Sequence, residues 1–220
     1  MTIGIGVTTY NRPEHLKVFK EQIKKYSLPH LLYIAEDNPR IGIAKRKNEC
    51  LRALRDMDYI FIFDDDCFPI CNGWDQLFID HFLKSGQHHF LYLKQTTTLK
   101  MLKEENNLEY YDNCGGCFMF LTKEVIKKVG GYHDGYGIYG YEHAGYSQRI
   151  HMAKLTTHPY ISITGSDKYI YAMDYDFYLP FNKRLNHKSS LSNEIEKIPG
   201  YIEHNKKIYD IDQMKIYHPL

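Results

Sequence analysis

Three consecutive carboxylates, Asp64, Asp65 and Asp66, end the run Tyr59-Ile60-Phe61-Ile62-Phe63. Such a short aromatic and β-branched run reads as a buried strand. Adjacent carboxylates repel one another, so a fold that keeps them together must compensate them with positive charge. A hard divalent cation held through carboxylate oxygens does this, and Mg²⁺ bound by one or two carboxylates usually also binds substrate phosphates. Asp64 and Asp66 form an Asp-x-Asp pair. If the strand persists through the triplet, alternation points these two the same way and turns Asp65 elsewhere. The register also allows Asp64 and Asp65 to act as the pair. An acidic turn after a strand is the plainer alternative.

A second group of chemical interest lies near residue 142. Glu142 and His143 follow a Gly- and Tyr-rich stretch in which Tyr132, Tyr136, Tyr139, Tyr141 and Tyr146 crowd together, in a chain with 20 tyrosines. Tyrosine offers a flat apolar face with a polar tip, suited to sugar rings, bases or a wet interface. A carboxylate in a half-buried aromatic loop is expected to have a raised pKa and to serve as a general base. Imidazole does the same work near neutral pH. Cys67 and Cys71, with Cys114 and Cys117, have spacings compatible with a zinc site. The first pair follows the acidic strand end and the second flanks two glycines. Reduced, half-buried thiols therefore describe them better.

The elements that must position these groups alternate in period. Ile3 to Thr9 reads as a strand. Pro13 suits a first helical turn, and Leu16, Phe19, Ile23 and Tyr26 recur at helical spacing. Leu31 to Ala35 is a second strand, Ile43 to Met57 a second helix through Ala44, Lys47, Leu51 and Leu54, and Tyr59 to Phe63 a third strand. Strand and helix in alternation, with short connections, predict a parallel sheet with right-handed crossovers. Its strand ends then bring Thr9 to Arg12, Glu36 to Asn38, and Asp64 to Asp66 to one crevice, where open α/β sheets bind ligands. Further on, the pattern predicts a helix over 73–84, a strand over 90–93, a polar irregular stretch over 94–113, and a strand over 117–121. A short helix over 123–129 stops at Gly130-Gly131, a helix runs over 142–153, and a last strand over 160–164. From Ser166 onward the periodicity is weak.

Composition sets bounds on partners. The chain has 220 residues, 43% hydrophobic and 25% charged, with 28 Lys plus Arg against 27 Asp plus Glu. A net charge of +1 gives no global pull toward nucleic acid or anionic membrane. No apolar run approaches a bilayer span. The first residues enter a strand without a basic segment and apolar core, so no signal peptide is visible. A cytoplasmic enzyme is expected, in the host cytoplasm if the source is viral. One domain is expected, with residues 1–165 as its core and 166–220 as an extension or flexible loop packed on that core.

Several motifs, in this order and spacing, resemble nucleotide-sugar-dependent glycosyltransferases of the GT-A fold, close to the large family-2 type. They are Thr8-Thr9-Tyr10-Asn11-Arg12-Pro13, the segment Asn38 to Asn48, Phe63-Asp64-Asp65-Asp66, Gly115 to Phe120, and Gly140-Tyr141-Glu142-His143. The resemblance covers residues 3 to about 153 and extends more weakly to 187. It implies a single Rossmann-like α/β domain with a mostly parallel central sheet flanked by helices and an irregular C-terminal extension. It implies a nucleoside-diphosphate sugar as donor, a UDP-sugar foremost, and Mn²⁺ or Mg²⁺ as cofactor. Asp66 is then the firmest metal ligand with Asp64, and His187 in Asn186-His187-Lys188 the late third ligand. Neutral imidazole partners carboxylates around such ions. Lys183, Arg184 and Lys188 could pair with leaving phosphate. Thr9, Tyr10, Asn11 and Arg12 fall where the family places base and ribose, and Asp65 could reach the ribose. Asp37 matches the acidic position that contacts the base, and Arg46 the basic position near base and phosphates. Gly115 and Gly116 match the element under the donor sugar. The family pattern Gly-x-Glu-Asp usually assigns the Asp as base. Here His143 stands in its place, so Glu142 and His143 both remain candidates.

The resulting expectation is an inverting, metal-dependent hexosyl- or pentosyltransferase. Its acceptor could be a glycan, a lipid-linked sugar, a protein or a modified DNA base. A nucleotidyltransferase of related architecture is one alternative, although Thr8-Thr9-Tyr10-Asn11 has no glycine-rich pattern. A non-catalytic sugar- or nucleic-acid-binding module is the other, and it would need no metal.

Overall fold

The structure, a computed structural model, describes residues 1–173, 175 and 198–220. Its centre is an eight-stranded sheet in the order β2-β1-β3-β8-β5-β9-β7-β6. The predicted first half is present: β1 (Ile3–Thr9), α1 (Pro13–Tyr26), β2 (Leu31–Glu36), α2 (Ile43–Leu54) and β3 (Tyr59–Asp64). β1 pairs in parallel with both β2 and β3. Next come β4 (Cys67–Pro69), α3 (Trp74–Ser85), β5 (His89–Leu91), β6 (Met101–Glu105), β7 (Leu108–Tyr111) and β8 (Phe118–Thr122). The chain continues through α4 (Lys123–Val129), α5 (Glu142–Met152), β9 (Ile161–Ile163) and β10 (Ile170–Ala172) to α6 (Tyr201–Asp212). β8 and β7 run against their neighbours, so six of the eight strands share one direction.

Strand alternation divides the core into two layers. Phe61 and Phe63 of β3 face α1 and α3, meeting Phe19, Trp74 and Phe78. Ile60 and Ile62 face α2, α4 and α5, with Leu51, Leu54, Val125 and Ile150. Both faces of β3 are thus covered, which explains its unbroken apolar sequence.

Two elements depart from the sequence reading. The stretch 94–113, expected to be irregular, contains the hairpin β6–β7. Its turn residues Asn106 and Asn107 have φ of 55° and 61°, the left-handed pair that a two-residue hairpin turn requires. In the stretch expected to be weakly periodic, β10 pairs antiparallel with β4 beside the acidic triplet, and α6 packs on α5.

Candidate active site

The acidic strand end does not continue the alternation expected of it. β3 stops at Asp64, and Asp65 and Asp66 form a turn into β4. As a result Asp65 and Asp66 share one cation: Arg12 forms an ion pair with Asp65 and donates through Nη1 to Asp66 Oδ2 at 2.8 Å. Asp65 is fully buried and also accepts from Thr9 Oγ1 at 2.5 Å. Burial, opposed by Arg12 and reinforced by Asp66, pushes its pKa up to about 7. Asp65 therefore ties the β1 loop to the triplet instead of turning toward an open crevice. Burial works against the charge of Arg12, but Asp66 and Asp65 hold it firmly protonated.

Asp64 has a different cation. Lys47, with no exposed side-chain surface, places Nζ 2.9 Å from Asp64 Oδ1. It also donates to the Gly116 carbonyl at 2.9 Å and lies 3.1 Å from His143 Nε2. Thr8 Oγ1 donates to Asp64 Oδ1 at 2.9 Å. Burial raises the Asp64 pKa, yet Lys47, then His143, hold it below the ordinary carboxylate range. Lys47 was readable in the sequence only as a cation on the apolar face of α2, between Ala44 and Leu51. A lysine in that register is the signal that marks it.

On the opposite wall, α5 begins at Glu142. This carboxylate is 2% exposed, so it is not a half-buried loop group. Its Oε1 lies 3.0 Å from His143 Nε2, while Oε2 is buried without a hydrogen-bond partner among the described residues. The expected raised pKa is overturned. Burial alone would raise it, but contact with His143, and Lys47 further off, holds it below the usual value. Gly116 makes the close packing feasible: a Cβ there would collide with the His143 ring, and one on Gly115 with the Tyr175 hydroxyl. Both glycines therefore admit close approach of a neighbouring side chain.

Asp37 and Arg46 are joined to each other. The Asp37 carboxylate accepts from the backbone of Ile41 at 2.7 Å and Gly42 at 3.3 Å, and from Arg46 Nε at 3.1 Å. Arg46 also donates to the Pro39 carbonyl at 2.7 Å and to Glu49 at 2.8 Å. The pair shapes the turn into α2. Arg40 covers the Tyr10 ring at 4.6 Å, and Asn11 takes a left-handed φ of 51°. His187, with Lys183, Arg184 and Lys188, lies outside the described residues.

One cavity of about 500 Å³ joins the two walls, lined by Asp64, Gly116, Glu142 and His143 together with Tyr139 and Tyr201. Of the five tyrosines near Glu142, Tyr132, Tyr136 and Tyr146 are core residues, whereas Tyr139 and Tyr141 reach this cavity. Sequence reasoning missed the role of α6. Asn205 Oδ1 accepts from Gly137 N at 2.9 Å, and its Nδ2 donates to the Tyr139 carbonyl at 2.8 Å. The Tyr201 hydroxyl donates to the same carbonyl at 2.6 Å and accepts from Tyr139 N. Behind them Arg149, fully buried, pairs with Asp212 Oδ1 at 2.7 Å. The five cysteines are free thiols.

The residues present fit a divalent ion. Three carboxylates meet two protein cations, the donors are hard oxygens, and Asp64 and Asp66 keep 20% and 17% of their side chains exposed. No cluster of three metal-ligating side chains occurs among the described residues.

The class of fold follows from this architecture: it is the GT-A fold. A family described as the N-terminal domain of galactosyltransferase matches residues 96–173. An uncharacterized glycosyltransferase of Acanthamoeba polyphaga mimivirus is 24% identical over 240 residues, covering 92% of each chain. The Drosophila β1,4-galactosyltransferase 7, solved with manganese, UDP-Gal and xylobiose, superposes with a TM-score of 0.52 at 20% identity, over 90% of this chain and 80% of that one. A Pyrobaculum calidifontis mannosyltransferase bound to GDP-Man and Mn²⁺ gives 0.54 at 14% identity, over 76% and 55%. The fold of the chain is accordingly of the GT-A type. No helix among the described residues is long and apolar enough to cross a membrane.

Proposed function

We propose that this chain transfers a sugar from a nucleoside-diphosphate sugar, a UDP-sugar foremost, to an acceptor hydroxyl with inversion. The observation that carries the reading is a cavity lined by Asp64, Glu142 and His143 together. Its volume suits a bound small molecule. The relatives solved with nucleotide sugars and Mn²⁺ support the donor class, and the one solved with xylobiose supports a glycan acceptor. The DNA-base acceptor gains no support from them.

Asp64 and Asp66 would hold Mn²⁺ or Mg²⁺. Such an ion supplies Lewis-acid neutralisation of the departing diphosphate. Glu142 is the base. Its carboxylate, at the wall of the cavity, takes the proton as the acceptor O–H bond breaks; the freed oxygen bonds to the anomeric carbon, and the C–O bond to phosphate breaks with its electron pair leaving on the nucleoside diphosphate. With Nε2 protonated, His143 donates to Oε1 and so orients Glu142. Because its pKa is depressed, Glu142 is ionised throughout the neutral range.

A panel of nucleotide sugars with Mn²⁺, scored by released nucleoside diphosphate, tests the donor class. Glu142→Gln should then lower turnover about 10²-fold or more with donor affinity intact. The acid limb of kcat/KM should fall below about pH 4.3, the ordinary Glu value. A limb near pH 6.5, with Glu142→Gln nearly active, would transfer the role to an imidazole.

A further inference from the structure

The central sheet has two outer edges, and the sequence treats them oppositely. At one edge β6 is exposed along its length, carries Lys103, Glu104 and Glu105, and breaks register with β7 between Met101 and Lys103. Charge and a bulge are the usual defences of an edge strand against pairing with another chain. At the other edge β2 reads Leu-Leu-Tyr-Ile-Ala-Glu. It contains no lysine or proline, and Glu36 at its end is its one charge. Its register with β1 runs without a shift. Leu31 is 49% exposed, and Leu32, Tyr33 and Ile34 are half-buried. The outer backbone of β2 has a definite parity. Asp37 N donates to Thr9 O at 2.8 Å, so the odd-numbered residues of the strand turn their amides and carbonyls to β1. Leu32, Ile34 and Glu36 turn theirs outward.

We propose that β2 is a docking edge for a second copy of this chain, which adds its own β2 antiparallel about a two-fold axis through Tyr33. This register matches outward residues to outward residues: Leu32 exchanges both backbone hydrogen bonds with Ile34 of the second copy, and Ile34 with its Leu32. The side chains match as well. Leu32 and Ile34, which pack toward the α1 layer, meet each other on one face. The two Tyr33 rings, on the α2 side, meet on the other. Apolar and aromatic pairs of this kind stabilise neighbouring strands. At both ends His30 comes opposite Glu36, an imidazole facing a carboxylate. His30 Nδ1 lies 2.7 Å from the Leu28 carbonyl, which leaves Nε2 for that contact. Such an interface is isologous and closes at two copies. The two acidic crevices then open on opposite edges of one continuous sheet.

Sedimentation velocity of the whole chain, over a concentration series reaching about 0.5 mM, should show reversible conversion of monomer to dimer. Hydrogen exchange should slow at the Leu32, Ile34 and Glu36 amides as concentration rises, with Tyr33 and Ala35 unchanged. Tyr33→Lys sets like charges directly opposite across the axis and should weaken the dimer about tenfold or more. Tyr33→Glu should do the same. An equimolar mixture of these two variants should restore the dimer, because opposite charges then meet. Ile34→Pro deletes an outward amide and no bond to β1, and should also leave the chain monomeric. Melting curves check that each variant folds, and the exchange pattern on wild type decides the question without them. A wild type that stays monomeric through the series would overturn the proposal, as would oligomers beyond the dimer. A dimer indifferent to all three substitutions, or a mixture no more dimeric than its components, would overturn it too.

Discussion

Replacing Lys47 by Met removes a buried ammonium whose three contacts are Asp64 Oδ1, the Gly116 carbonyl and His143 Nε2. Methionine is of similar length, so the volume is kept and the charge is lost. Removing one partner of a buried ion pair costs about 3–5 kcal/mol, because the other charge is left behind. Asp64 keeps the Thr8 hydrogen bond and a fifth of its exposure, which sets the expected cost near the lower end, ~3 kcal/mol. For a chain of this size each kcal/mol shifts the melting temperature by about 2–4 °C. Thermal denaturation at pH 7 should thus show a loss of roughly 6–12 °C. The pH dependence is specific. In wild type the Asp64 pKa is depressed, so its contribution is full above the unfolded Asp value of about 3.9 and is lost as pH falls through the folded value. In the variant, burial without the cation lifts that pKa, and acid relieves the penalty. Both trends narrow the gap between the two proteins at low pH. A loss under about 2 °C at pH 7, or a gap that widens in acid, would refute the placement of Lys47 as the counter-charge of Asp64.

Asp66→Ala should abolish Mn²⁺-dependent UDP binding while the fold survives, because Arg12 retains Asp65; calorimetry with and without Mn²⁺ checks this. Asp212→Asn leaves the Arg149 guanidinium buried without its anion and should cost about 3–5 kcal/mol, read as a lower urea midpoint with an unchanged slope. Gly116→Ala should displace the His143 ring and lower turnover more than donor affinity, measured by kinetics beside UDP titration.

The first half of the fold was legible because its period is plain. β1, β2 and β3 are apolar runs, α1 and α2 carry apolar stripes, and short connections leave few topologies. The hairpin β6–β7 was hidden because β6 is exposed along its whole length and offers no alternation to read; its signal was the turn pair Asn106-Asn107. α6 was hidden because its buried residues are Asn205 and Asp212, polar groups that write no hydrophobic period. At the site, sequence identified the carboxylates but not their partners. Whether Asp65 meets an open crevice or Arg12 depends on where β3 ends, and whether Glu142 is raised or depressed depends on how the His143 ring folds back against its carboxylate.

The clamp of α6 on Gly137–Tyr139 also bears on the order in which the protein is made. Each backbone group that Asn205 and Tyr201 hold emerges from the ribosome some sixty residues before its partner. At about 5–20 residues per second, the strands and the acidic crevice can assemble for several seconds while the stretch ahead of Glu142 lacks these hydrogen bonds. The nascent chain therefore acquires its acidic strand end early and its positioned base late. A ribosome stalled before residue 201 would carry a chain with the β1–β3 crevice already built and the loop leading to Glu142 not yet fastened.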